Sequence, residues 1–146
     1  RAAVYSPTEF DHLAIGSSLG AYASFRRERA VTAVNEAPME AERIGAFERY
    51  PDGFWVAPAW ITASGEPVAI SCQPHHDGGA LTGLLDCTTT HAVGAGLQAT
   101  LDFRAAPGDV EATARRVEAD LVLVLAVLAP GQGLGVTPPP DTPAGD

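Results

Sequence analysis

The spacing of apolar residues changes period after Gly53. Before it, apolar side chains recur at three- and four-residue intervals. After it they alternate, as on strands with one dry and one wet face. A chain patterned this way must build helices first and a sheet afterwards. The alternation is cleanest over residues 97–104. There Leu97, Ala99, Leu101 and Phe103 alternate with Gln98, Thr100, Asp102 and Arg104, as in an antiparallel sheet with one solvated face. Three further strands are expected at residues 54–62, 68–73 and 81–90. Gly65, a polar loop over 74–80 and Gly94-Ala95-Gly96 separate them. Tyr50-Pro51-Asp52-Gly53 is a turn, with proline setting φ and glycine accepting φ > 0.

The helical part opens on a local signature. Ser6 and Glu9 stand in capping-box spacing, Pro7 falls at the first helical position, and Tyr5 and Phe10 are placed as a hydrophobic staple. A helix from Pro7 would turn Phe10, Leu13 and Ala14 inward. Gly16-Ser17-Ser18 interrupts it, and it resumes at Leu19. Arg26, Arg27 and Arg29 read as a solvated face. A second helix is expected from Pro38 to about Glu48, with Met39, Ile44 and Phe47 inward. The last helix begins near Ala106-Pro107-Gly108-Asp109. Its first half is polar, and from Leu121 it is apolar all round, which predicts burial on several sides. A fifth strand over residues 121–128 is the alternative. The expected architecture is α+β: N-terminal helices, a four-stranded antiparallel meander and a long C-terminal helix. These form one domain over residues 1–129, followed by a Gly/Pro-rich extended tail over 130–146 containing Pro138-Pro139-Pro140.

Charge and composition narrow the function classes. The 146 residues carry a net charge of −9 and no lysine, so a nucleic-acid partner is not expected. The longest apolar run, residues 121–129, is far short of the ~20 residues a bilayer span needs, so no transmembrane segment is expected. The chain opens at Arg1 rather than Met, which reads as a processed product or a piece of a longer chain.

Cys72 and Cys87 admit a disulfide, a metal pair or two buried thiols. A tight hairpin at residues 74–80 would set residue 72 opposite 81–83 and Cys87 about 13 Å away along the partner strand. That exceeds the ~7 Å a disulfide allows between Cα atoms. The register therefore favours separate thiols, with a lean towards a reducing, cytoplasmic setting. Cys72, His75, His76, Asp77, Cys87 and His91 nevertheless crowd into one stretch. Cys72, His75 and His91 are candidate ligands for zinc or iron, although no cofactor is expected. His75 and Asp77 are the candidate acid/base pair, since imidazole titrates near neutral pH. Phe10-Asp11-His12-Leu13-Ala14-Ile15 resembles, over six residues, the opening strand of vicinal-oxygen-chelate enzymes, whose histidine binds metal. No second such module follows, and the chain is assigned to no family. No nucleophile elbow, phosphate loop or dinucleotide fingerprint is present.

Residues 54–64 carry no charge but contain Phe54, Trp55 and Trp60. In a regular strand the two tryptophans would face opposite ways. Pro58 cannot donate to a ladder, so the strand should be an edge or contain a bulge. A bare apolar edge invites a partner, which makes Phe54, Trp55 and Trp60 the expected interface. The leading expectation is thus a non-enzymatic interaction or assembly module that self-associates, or binds a protein, through this edge and the tail. The alternatives are a small-ligand pocket or small enzyme of the cone-shaped, nuclear-transport-factor-like type, and a metal-binding domain built on the His75/His76/Asp77 loop.

Overall fold

The computed structural model describes residues 12–16, 20–35 and 40–136. The described chain is α+β. Its elements are β1 (His12–Gly16), α1 (Ala21–Asn35), β2 (Glu42–Ile44), β3 (Phe47–Arg49), β4 (Phe54–Ile61), β5 (Pro67–Asp77), β6 (Ala80–Gly94), β7 (Leu97–Ala105) and α2 (Val110–Leu128). All strands belong to one antiparallel sheet in the order β1-β7-β6-β5-β4-β3-β2. The four expected strands are its centre, β4 to β7, and three more flank them. α2 packs on one face and α1 on the other.

The additional strands replace expected helix. The expected capping box, Pro7, the staple and Phe10 lie outside the described residues. So do residues 36–39, which include Pro38 and Met39, and residues 137–146, which include the triple proline. His12–Gly16, however, is a strand that pairs with β7 from His12↔Asp102 to Gly16↔Gln98. Five residues make little more than one helical turn, which is marginal alone. The outer edge of β7 offers each of them a ladder partner. The expected helix over 38–48 is instead a hairpin. Ile44 opposes Phe47 across Gly45-Ala46, and Gly45 takes φ +59°. Glu111 on α2 sits where a side chain at 45 would go, and its Oε1 accepts the Ala46 N–H at 2.8 Å. Phe47 is then fully buried between Trp55 and Trp60. Tertiary packing overrides the helix propensity of Glu40-Ala41-Glu42-Arg43.

The β5–β6 hairpin overturns the reading of the cysteines. Gly78 and Gly79 both have positive φ (59° and 87°), so the chain reverses in two residues between Asp77 and Ala80. The expected polar loop is in fact strand. Between Pro74↔Leu85 and His76↔Leu81, β6 carries two residues more than β5. This bulge moves the register so that Cys72 lies directly opposite Cys87, with Cα atoms 4.1 Å apart and the sulfurs bonded. The two cysteines are a disulfide, not separate thiols.

α2 is a helix over the run that also allowed a strand. Val110, Thr113, Ala114, Val117, Glu118, Leu121, Val124 and Leu125 form its buried side. That is the i, i+3, i+4, i+7 stripe of a helix lying on a sheet. Val110, Ala114, Val117, Leu121 and Leu125 meet Phe47, Trp55, Trp60, Ile70, Leu101 and Phe103 in the main core. The opposite face carries a smaller cluster of Phe25, Val56 and Ala69, flanked by Tyr22, Tyr50 and Phe54. Arg29 is not simply solvated there. It ion-pairs with Asp52 and stacks over the Phe25 and Tyr50 rings, while Arg26 and Arg27 are exposed. Beyond α2 the tail is partly docked: Leu134 is buried, and the Gly135 N–H donates to Val93 O at 2.9 Å.

Candidate interaction surface

The expected aromatic edge is not an edge. β4 lies between β3 and β5, and Trp55 and Trp60 are 1% and 0% exposed. Pro58 sits in a bulge between Ala57 and Ile61. The irregularity brings both tryptophans into the same core although an odd number separates them. Phe54 alternates to the other face and is half-buried beside Phe25. The true edges of the described sheet are β1 and β2. β2 is three residues long and carries exposed Glu42 and Arg43, a short charged edge that discourages strand addition.

The candidate metal ligands do not converge. Cys72 is bonded to Cys87 and lacks the thiolate that a metal needs. His91 faces α2, buried, with Nε2 3.2 Å from Glu118 Oε1 and Nδ1 3.3 Å from Thr89 Oγ1. Thr89 in turn donates to Ala69 O at 2.7 Å. His75 reaches Asp86, whose position on β6 alternates with Cys87 and so points to the other face. Among the described residues no group of three or more His, Cys, Asp or Glu is arranged to hold a metal. His12 lies in β1 rather than in the expected helix.

His75 has a carboxylate partner, but it is Asp86 at 2.8 Å rather than exposed Asp77. Arg104 Nε donates to the other Asp86 oxygen at 2.7 Å. That hydrogen bond outweighs the cost of desolvation and, with a lesser contribution from His75, holds the Asp86 carboxyl below its ordinary value of 3.8. Nearby, Tyr50 lines an open cleft of about 410 Å³ with Glu40, Glu42, Arg49, Trp55 and Gln73. Burial, reinforced by the Glu48 carboxylate, raises the Tyr50 phenol. A second cavity, between Trp60, Glu118 and Val136, holds only about 110 Å³.

The feature that distinguishes this surface is the outward side of α2. Its C-terminal half was expected to be buried on several sides, yet the fold covers only one. Val122, Leu123, Val127 and Leu128 remain 40%, 51%, 47% and 63% exposed. Exposed Ala119 and Ala126 continue the same stripe. From Leu121 to Leu134 the sequence has no ionisable side chain. Leaving a large aliphatic side chain in water forgoes about 1.5–3 kcal/mol against full burial, and contiguous patches of this kind mark contact sites. The sequence signal was present, since residues 121–129 are all apolar. What one sequence does not show is how many sides of the helix its own sheet can cover.

The described residues therefore form an α+β fold, a single seven-stranded antiparallel sheet with one helix on each face. No protein-family model, curated protein or solved structure matches the chain. No helix among the described residues is long and apolar enough to cross a membrane.

Proposed function

We propose that this chain is a protein-interaction module whose contact face is the outward side of the C-terminal half of α2. The supporting observation is the charge-free stripe of Ala119, Val122, Leu123, Ala126 and Val127, left in water on a helix whose other side anchors the core. The expected interface at Phe54, Trp55 and Trp60 moves to this helix, because the tryptophans are already used internally. A photoreactive phenylalanine analogue at position 123, incorporated in the producing cells, tests the reading. It should give one discrete adduct that Val127→Glu abolishes, whereas the same probe at Thr88, exposed on the other face, should give none. The absence of an adduct at 123 overturns the reading.

The open cleft favours a second reading. Its volume of about 410 Å³ falls within the range of small-molecule sites, and Arg49, stacked 5.3 Å from the ring centre of buried Trp55, offers a cation beside Tyr50 and Gln73 on its lining. This ligand-binding reading predicts that members of a small-molecule panel shift the amide resonances of residues 49–53. A panel that leaves them unmoved removes it.

A further inference from the structure

Resting on the ligand-binding reading of the open cleft, we infer that its ligand is a free α-amino acid with a large apolar side chain, its carboxylate on Arg49 and its ammonium on Glu42.

The placement of these two charges carries the inference. Glu42 on β2 and Arg49 on β3 are Cα partners across their hairpin. Their side chains therefore leave the sheet on the same face, and both line the cleft. Opposite charges placed directly across two strands ordinarily pair with each other. Here Arg49 sits over the Trp55 ring instead, with Cζ 5.3 Å from the ring centre. Among the described residues neither Arg49 nor Glu42 has an ion-pair partner. The cleft thus presents one unneutralised cation and one unneutralised anion on neighbouring strands. In an α-amino acid the ammonium and the carboxylate are attached to one carbon. That is the complementary pattern, two adjacent charges of opposite sign.

The remaining charges of the cleft narrow the class further. Asp52 is already ion-paired with Arg29. Exposed Glu40 adds a second carboxylate to the lining, and the whole chain carries −9. A ligand with only a carboxylate or a phosphate would meet two carboxylates for one cation. A ligand with only an ammonium would leave the half-buried guanidinium unmatched. A zwitterion satisfies both signs, and Pro51, Pro74 and half-buried Leu85 offer its side chain an apolar lining.

The cleft is also held in shape before a ligand arrives. One wall is the turn at residues 50–53, where the Gly53 N–H donates to Tyr50 O at 3.1 Å and the Tyr50 N–H to Phe54 O at 2.8 Å. The Cys72 N–H ties this turn to β5 by donating to Gly53 O at 2.8 Å. A Cβ at position 53 would stand 2.5 Å from Cys72 O, so this approach requires glycine. The stack on Trp55 restricts the Arg49 head in the same way. A preformed site loses little affinity to ordering its own groups.

Three probes that share one side chain test the inference. L-Phenylalanine carries both charges, phenethylamine only the ammonium, and hydrocinnamate only the carboxylate. Titrated into the full chain near neutral pH and followed at the amide resonances of residues 49–53, L-phenylalanine should bind saturably. Each single-charge probe should bind roughly 10-fold or more weakly, the worth of one charge-assisted hydrogen bond. Arg49→Gln should lower L-phenylalanine to the affinity of phenethylamine and leave phenethylamine unchanged. Glu42→Gln should lower it to the affinity of hydrocinnamate. Glu42 is exposed, so its variant should keep the wild-type circular dichroism, and the three probes on the wild type decide the matter even if Arg49→Gln fails to fold. Equal affinities for the three probes, or L-phenylalanine binding untouched by both substitutions, overturns amino-acid recognition. So does a chain that ignores L-phenylalanine. If another member of the small-molecule panel then shifts residues 49–53, the ligand-binding reading stands without this ligand class. If none does, both fall.

Discussion

The two faces of the sheet are made from the same strands but hold the fold very differently. On the α2 face, Trp55, Trp60, Phe47, Leu101 and Phe103 interlock with Leu121 and Leu125, and the disulfide and the His91–Glu118 pair lie among them. On the α1 face the buried cluster is Phe25, Val56 and Ala69. The neighbouring cross-strand pairs there are polar: Asp86 with Arg104, Thr88 with Asp102 and Thr90 with Thr100. Period-two alternation thus divides one set of strands into a layer that carries stability and a layer that meets water. The difference teaches that burial alone does not rank these residues; how many rigid neighbours surround them does. Trp55→Ala should cost about 3–5 kcal/mol, because its neighbours are fixed and cannot collapse into the space. Phe25→Ala should cost less than about 3 kcal/mol, since half-exposed Tyr22 and Phe54 can close over the gap. Urea midpoints at constant slope measure both. Equal losses would break the contrast between the faces.

The next effect concerns the disulfide. It joins residues 15 apart, and a loop of that size is worth about 3 kcal/mol through restriction of the unfolded chain. The Cys72→Ala/Cys87→Ala double variant should lose about that much, and a reductant that opens the bond should bring the wild type to the same stability. Both sulfurs lie on the α2 face, and the cysteines are 4% and 1% exposed, so the native bond should resist reductant until the sheet opens. Rapid reduction without unfolding would show that this face is looser than its packing implies.

A smaller loss is expected at the buried polar pair. Glu118→Leu leaves His91 Nε2 without its partner beneath α2 and should cost about 1–3 kcal/mol, the range for stranding one buried polar group. Glu118→Gln keeps an oxygen at that position and should cost less. A double-mutant cycle with His91→Leu separates the pair's coupling from the packing of each side chain. Zero coupling would mean that the 3.2 Å contact adds nothing to the hold of α2 on the sheet.

The same contrast explains what could be read from the residues alone. The α2 face was legible because its determinants are local. Leu97, Ala99, Leu101 and Phe103 repeat at period two, and the inward side of α2 repeats at helical spacing. The flanking strands were not legible because their determinants are distant. His12–Gly16 becomes a strand because β7 has an unpaired edge, and residues 42–49 become a hairpin because Glu111 and the tryptophans wait for them. The cysteines failed for a sharper reason. Gly78-Gly79 is a strong two-residue hairpin signal, but the bulge that follows shifts register by two residues, and no period in the sequence encodes it. The exposed apolar face of α2 was half legible: the uncharged run from Leu121 was plain, while the side of it that stays in water depends on the sheet's width.

The smallest expected effect lies on the wet face and turns on pH. The Asp86 carboxyl is held below 3.8, chiefly by the Arg104 hydrogen bond and then by His75. A carboxyl with a depressed folded value stabilises the fold fully above the unfolded value. That contribution disappears as pH falls through the folded one. The stabilisation from Asp86 is therefore present at neutral pH and at pH 5, and it fades below about 3.8. Asp86 and Arg104 are 46% and 42% exposed at their side chains, so solvent and salt screen most of the attraction. Asp86→Asn should lower stability slightly at pH 7, by less than Glu118→Leu, and the gap from wild type should narrow as the pH drops below 3.8. Chemical denaturation at pH 7, 5 and 3 in low salt measures the gap. A constant difference across all three would mean that the residue acts through packing, and a gap that widens in acid would reverse the sign of the linkage.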